Sequence, residues 1–215
     1  GRGAGRGLRA RVGQRVGEHG VGGLRGGSPE LAAGGRQQQL DVLASGPRMV
    51  GLRRVTRETD ITVHLELDGE GRAEVATGIG FLDHLLTSLA HHALFDLKIA
   101  ATGDLEVDEH HTTEDVALVL GAAFDAALGD RAGIRRFGDA SVPMDEALAS
   151  VAIDVGGRPY AVVDLPFRGE RIGTLPTQLI EHALEAFART SGSTLHVRGT
   201  GRNDHHLAEA AFKAL

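Results

Sequence analysis

His110-His111-Thr112-Thr113-Glu114 and His205-His206-Leu207-Ala208-Glu209 are one pattern, His-His-x-x-Glu, written twice in the chain. The match extends outward. Asp108-Glu109 precedes the first copy and Asn203-Asp204 the second. Further upstream, Phe81-Leu82-Asp83-His84-Leu85-Leu86 matches Leu179-Ile180-Glu181-His182-Ala183-Leu184, each with a lone histidine. That histidine stands 27 residues before the second histidine of the pair in one copy and 24 in the other. A single His-His-x-x-Glu arises easily by chance. Two copies, each with a matched upstream histidine, indicate a duplication of about 90 residues, and a repeat of this kind decides the architecture before any single element does.

The local patterns supply the contents of each copy. Ile61–Leu67 alternates apolar and polar residues, as a strand does; a turn at Gly69-Glu70-Gly71 and a second strand over Ala73–Ala76 suggest a hairpin. From Phe81 the spacing becomes helical, with Leu82, Leu85, Leu86 and Leu89 on one face and His84, Ser88, His91 and His92 on another. Phe95–Ala101 reads as a strand and 112–128 as a helix. The later half repeats this grammar. Met144–Val155 and Tyr160–Leu165 are strand-like around Gly156-Gly157-Arg158-Pro159, Leu179–Ala188 is helical, Thr194–Val197 is a strand, and a helix runs on from Ala208. The expected class is α+β.

The spacing within the motif suits a metal. At a helix start, His110 and Glu114 are four residues apart and share a face, as do His205 and Glu209. Adjacent histidines diverge by about a quarter turn, so His111 and His206 serve a different ion from their neighbours, or a partner subunit's site. The set His84, His110, His111, Glu114, His182, His205, His206 and Glu209 offers two ions four ligands each. Such nitrogen and carboxylate ligands suit Mn, Fe, Co, Ni or Zn without choosing among them. Asp115, beside Glu114, is a candidate to orient an imidazole. Arg135, Arg136 and Arg158 could clamp a phosphate, and Gly133-Ile134-Arg135-Arg136-Phe137-Gly138 is not a nucleotide-type loop.

Composition narrows the chemistry further. The chain has no cysteine, which excludes thiolate metal sites, disulfides and cysteine nucleophiles. No apolar run approaches the roughly 18 residues of a membrane span, and a cytoplasmic location is expected rather than a plastid one. Residues 1–48 differ from the rest: 14 of the 31 glycines and eight arginines fall there against three acids, about +5, whereas the remainder is −11. A Gly/Arg-rich stretch with so little to bury is expected to be disordered and outside the fold. It reads as sequence ahead of Met49, with a transit peptide or a nucleic-acid tail as alternatives; it lacks the serines of the former and the stacking aromatics of the latter. No nucleic-acid or membrane partner is expected.

From about Leu52 to Leu215 the chain resembles the imidazoleglycerol-phosphate dehydratases. The resemblance rests on Arg57-Glu58-Thr59-Asp60, Gly80-Phe81-Leu82-Asp83-His84-Leu85-Leu86, His92-Ala93-Leu94-Phe95-Asp96-Leu97, Gly103-Asp104, Asp108 through Asp115, Arg135-Arg136-Phe137-Gly138-Asp139-Ala140, Pro143-Met144-Asp145-Glu146, Gly157-Arg158-Pro159-Tyr160 and Asp204 through Ala214. It implies an internal duplication of a βαβ-type half, each half a four-stranded sheet with helices packed on one face. The domain would be 49–215, with repeats at about 52–140 and 141–215. It also implies two Mn²⁺ per subunit at sites shared between subunits, and a cage of 24 subunits assembled from trimers. The reaction implied is a hydro-lyase step of L-histidine biosynthesis, D-erythro-imidazoleglycerol phosphate to imidazoleacetol phosphate. By the same resemblance Glu58 is the catalytic acid/base. His92, Arg136 and Arg158 contact substrate, alongside the ligands His84, His110, His111 and Glu114. The family continues past Phe212-Lys213-Ala214 into a further helix and a Ser-Thr-Lys segment, so a C-terminal truncation is expected. A dinuclear hydrolase using the same ligands, and a metal-assembled shell, are the alternatives.

Overall fold

The computed structural model describes residues 38–42 and 48–215. A strand β1 (Gln38–Val42) comes first, followed by β2 (Met49–Val55), β3 (Thr59–Glu66), β4 (Ala73–Ala76), α1 (Gly80–Ala93), β5 (Asp96–Gly103) and α2 (His110–Leu128). The second half holds β6 (Phe137–Met144), β7 (Ala147–Asp154), β8 (Tyr160–Asp164), the short β9 (Arg171–Ile172) and β10 (Leu175–Pro176), α3 (Thr177–Ser191), β11 (Thr194–Thr200) and α4 (Asp204–Ala214).

The strand orders are β1-β2-β3-β5-β4 and β6-β7-β11-β8, with β9 and β10 pairing apart. Without β1 the two sheets have the same order, and β4–β5 and β8–β11 are their parallel pairs. Parallel neighbours need a crossover, and α1 and α3 supply it. Each half is therefore an antiparallel hairpin, then a βαβ unit whose last strand inserts beside the hairpin, then a helix. The duplication read from the sequence is present at the level of topology.

Each helix lies on its own sheet and touches a helix of the other half: α2 meets α3, and α1 meets α4. The helices thus form a layer between the sheets, and one apolar cluster runs through both halves. In β3 the alternation sends Thr59, Ile61, Val63 and Leu65 inward. Burying each of the three aliphatic side chains stabilises the fold by about 1.5–3 kcal/mol before entropy is counted. Gly121 marks a close approach of α2 to α3. A Cβ there would fall 2.6 Å from the Phe187 carbonyl oxygen of α3.

Several expectations need correction. Ala73–Ala76 does not form a hairpin with the preceding strand; β5 lies between them. Likewise Tyr160–Asp164 pairs in parallel with β11 and not with β7. In both cases a glycine turn mimicked a hairpin, while the crossover helix that separates the strands lay downstream. The four strands expected of each half are present, and in the first sheet β1 adds a further strand antiparallel to β2. The stretch 38–42 thus carries a strand where none was expected; the other residues of 1–47 lie outside the described residues. Strands β2 and β6 also went unread. In β6 exposed and half-buried residues alternate and none is fully buried, as suits an edge strand, and Gly138 and Pro143 weaken its strand signal. Helix α4 begins at Asp204, ahead of the expected Ala208, so the whole second motif is helical. Among the described residues no helix is long and apolar enough to cross a membrane.

Candidate metal centres

Both His-His-x-x-Glu motifs open a helix, and each start is capped by the residue the repeat aligns there. Asp108 Oδ1 accepts the His110 backbone N–H at 2.8 Å, and Asn203 Oδ1 accepts that of His205 at 3.0 Å. The cap fixes the first turn, so the histidine and glutamate four residues apart line up on one face.

Two clusters result. In the first, His84 of α1 joins His205 and Glu209 of α4; in the second, His182 of α3 joins His110 and Glu114 of α2. The lone histidine of each half therefore completes the motif of the other half. Within each trio the ligand atoms lie within 4.8 Å of one another. In the first, Glu209 Oε2 is 3.0 Å from His84 Nε2 and 3.2 Å from His205 Nε2. In the second, Glu114 is 3.5 Å from His182 Nε2 and 3.7 Å from His110 Nε2. Atoms bonded to one ion at about 2.1 Å sit roughly 3 Å apart, so small rotations would let each trio hold an ion. The donor set fits a divalent transition metal. One observation supports that fit: His182 Nε2 is buried at the second cluster and has no hydrogen-bond partner.

Both glutamates stay anionic although half-buried or buried. Burial opposes ionisation of Glu209, but the Lys213 ammonium at 2.7 Å and His84 outweigh it and hold the carboxyl at about 2. Burial likewise opposes ionisation of Glu114, and Arg189 at 2.9 Å with His182 carries its pKa below the usual range.

His111 and His206 belong to neither trio. His111 Nδ1 meets Asp104 Oδ2 at 2.9 Å, and that hydrogen bond raises its pKa, with Glu58 and Asp108 adding charge. His206 Nδ1 meets Glu146 Oε2 at 3.0 Å. With Nδ1 engaged, each ring presents Nε2 as its free nitrogen, the arrangement expected of an oriented ligand. Asp104, Glu146, Lys213 and Arg189 were not given roles on sequence grounds. Glu146 carried a signal, since it occupies the turn between the first two strands of its half just as Glu58 does.

Other expected residues are dispersed. Glu58 is exposed in the β2–β3 turn, on the His111 side. His92 is exposed in the last turn of α1, edge-on to His91. Arg136 is exposed and bound bidentately to Asp154 at 2.6 and 2.9 Å; Arg158 is exposed in the turn after β7. Asp154 and Glu146 flank opposite ends of the eight-residue β7, a span of roughly 25 Å. One chain therefore does not bring these arginines to the His206 end of its own sheet. Asp115 does not orient an imidazole. It is buried, paired with Arg54, and accepts a hydrogen bond from Thr59 Oγ1 at 2.5 Å.

The family model described as imidazoleglycerol-phosphate dehydratase matches residues 77–215. A protein of that name from Methanocella arvoryzae is 54% identical over 168 residues, covering 78% of this chain and 88% of its own. The chloroplastic protein of Pisum sativum is 53% identical over 78% of this chain and 60% of its own length. Among solved structures, imidazoleglycerol-phosphate dehydratase from Staphylococcus aureus superposes with a TM-score of 0.70 at 34% identity, covering 77% of this chain and 92% of that one. IGPD from Pyrococcus furiosus in complex with (S)-C348 gives 0.66 at 37% identity, over 75% and 87%.

Proposed function

The chain belongs to the imidazoleglycerol-phosphate dehydratase family, and on that premise we propose how its residues divide the work. It is a hydro-lyase of histidine biosynthesis that dehydrates D-erythro-imidazoleglycerol phosphate to imidazoleacetol phosphate. Our reading is that His84, His205 and Glu209 hold one Mn²⁺, and His110, Glu114 and His182 a second, two per subunit. His111 and His206, with Nδ1 occupied and outside both trios, supply the fourth ligands of a neighbouring subunit's ions.

The observation that carries the reading is the crossed pairing of two equivalent His-His-Glu trios. Three protein ligands and a fourth from a neighbour leave positions for substrate on an octahedral ion. When bound, the ions supply Lewis acidity toward the imidazole ring of the substrate, whose reacting C–H has no adjacent carbonyl to make it acidic. The chain's own groups do the rest. Glu58 is our acid/base: its carboxylate is exposed, near enough to His111 to add to the charge that imidazole feels, and free of hydrogen bonds among the described residues, so it can take a proton from carbon and return one to the departing hydroxyl. Arg136 and Arg158 suit the phosphate, and His92 the body of the substrate. Their distance from the His206 end of the same sheet favours a site built from several subunits, consistent with trimers assembling into a cage of 24. The domain is residues 49–215 in this reading.

Metal analysis with size measurement tests it. About two manganese ions per subunit and a large particle that a chelator dissociates are expected. One ion per chain, or a monomer that turns over at the full rate, would overturn it.

A further inference from the structure

We propose that Thr59 and Asp115 are positioning residues for Glu58, acting through Thr56 to hold the β2–β3 turn in one conformation. The inference deepens the reading of Glu58 as the acid/base and rests on it.

The polarity of the hydrogen bonds fixes the argument. Asp115 is a carboxylate paired with Arg54 and can only accept. Thr59 Oγ1 therefore donates to Asp115 Oδ2 at 2.5 Å. A hydroxyl has one proton, so Thr59 Oγ1 must accept from Thr56 Oγ1, 3.1 Å away. The lone pairs of Thr56 Oγ1 then face back along the chain. They receive the backbone N–H of Glu58 at 3.1 Å and of Thr59 at 2.9 Å. The Thr56 N–H donating to the Thr59 carbonyl at 2.8 Å closes the same turn from the other side. A buried carboxylate on α2 thus orders, link by link, the backbone that carries an exposed Glu58. Such a chain is cooperative because each bond polarises the next.

The other half shows what this arrangement is for. Glu146 sits in the equivalent turn, but there Ala147 stands where Thr59 stands and Ala210 where Asp115 stands. The Thr–Asp lock has no counterpart there, and the Glu146 carboxylate instead ties its turn to the loop between β11 and α4. It accepts from the backbone N–H of Arg202 at 3.0 Å and of Asn203 at 2.7 Å, and meets His206 at 3.0 Å. One glutamate is consumed as a structural acceptor. In the first half Thr56, Thr59 and Asp115 hold the turn instead, and Glu58 keeps both oxygens free.

The test compares Thr59→Ala, Thr59→Ser and Glu58→Gln in the full manganese-loaded chain, measuring kcat, KM for imidazoleglycerol phosphate and bound manganese. Thr59→Ala should lower kcat about 10- to 100-fold, the scale of a misplaced catalytic group. KM should stay within about threefold and manganese content should not change. Thr59→Ser restores the hydroxyl and should restore kcat. The inference is overturned if Thr59→Ala turns over at the wild-type rate while Glu58→Gln is inactive, if serine fails to rescue, or if the loss of rate follows a loss of manganese. Turnover by Glu58→Gln would instead refute the acid/base reading beneath it. Should Thr59→Ala not fold, Thr56→Ala against Thr56→Ser reads the same chain at a less buried position, with the same expected split and rescue.

Discussion

Replacing Gly121 by alanine should weaken one metal centre and leave the other intact. The new Cβ would lie 2.2 Å from Thr190 Oγ1, 2.6 Å from the Phe187 carbonyl oxygen and 3.1 Å from the Ser191 nitrogen. The threonine hydroxyl can swing aside, giving up its bond to the Leu118 carbonyl at 2.8 Å; the backbone atoms cannot. Restoring an ordinary contact of 3.4 Å from 2.6 Å moves α3 away from α2 by about 0.8 Å. Overpacking of this sort costs about 1–3 kcal/mol, and the better helix propensity of alanine returns up to about 1 kcal/mol. The protein should therefore fold with a melting temperature only a few degrees lower. The site is less tolerant. His182 lies five residues from Phe187 and Glu114 seven from Gly121, about 7 and 10 Å along their helices. A displacement near 0.8 Å exceeds the roughly 0.5 Å within which a ligand set must be held. Manganese titration of the metal-free variant, followed by electron paramagnetic resonance, should show one site per subunit at wild-type affinity and one weakened about 10- to 100-fold. Two unchanged sites would refute the claim that the α2–α3 contact sets the second trio. Loss of both in a folded protein would refute the independence of the two.

Glu209→Gln and Glu114→Gln should each remove about one of two manganese ions per subunit, and the double variant both, as read by elemental analysis. His111→Ala and His206→Ala leave both trios intact, so weak manganese binding should persist while the large particle dissociates on a sizing column. Asp96 is held at about 2 by the backbone N–H groups of Arg72 and Glu70 and by the Arg72 guanidinium. Because its folded pKa is depressed, its contribution is present above the unfolded value and lost as pH falls toward about 2. The melting-temperature gap between wild type and Asp96→Asn should be largest near neutrality and shrink on acidification; a gap constant with pH would contradict this. Lys213→Met removes the cation that offsets burial of Glu209, and manganese release on acidification should begin at higher pH.

The duplication and the six residues of the two trios were legible in the sequence, because a His-Glu pair four apart on a capped helix leaves a local mark; His111 and His206, expected beside them, fall outside both trios. Which histidine joined which pair was not. His84 and the motif that follows it look like partners along the chain, yet α1 reaches α4 and α3 reaches α2 across the helix layer, a tertiary choice no local pattern records. The strand order escaped for a related reason. In the parallel pairs the inserted strand comes after the helix, so neighbours in sequence are not neighbours in the sheet. Asp115 misled because adjacency to Glu114 suggested a shared task. On a helix one residue on is about a hundred degrees away, and that turn carries its carboxylate from the metal face to the sheet.

The crossed trios also say what a single repeat could do by itself. Residues of one half contain a lone histidine and a His-Glu pair, but on helices that do not face each other, so an isolated half would have no complete set. Two copies packed face to face would have two. If 49–140 and 141–215 were expressed as separate polypeptides, manganese would bridge the cut at two points, one ligand from one piece and two from the other. Reassembly of the severed protein would then draw free energy from metal binding and respond to the concentration of the added divalent ion.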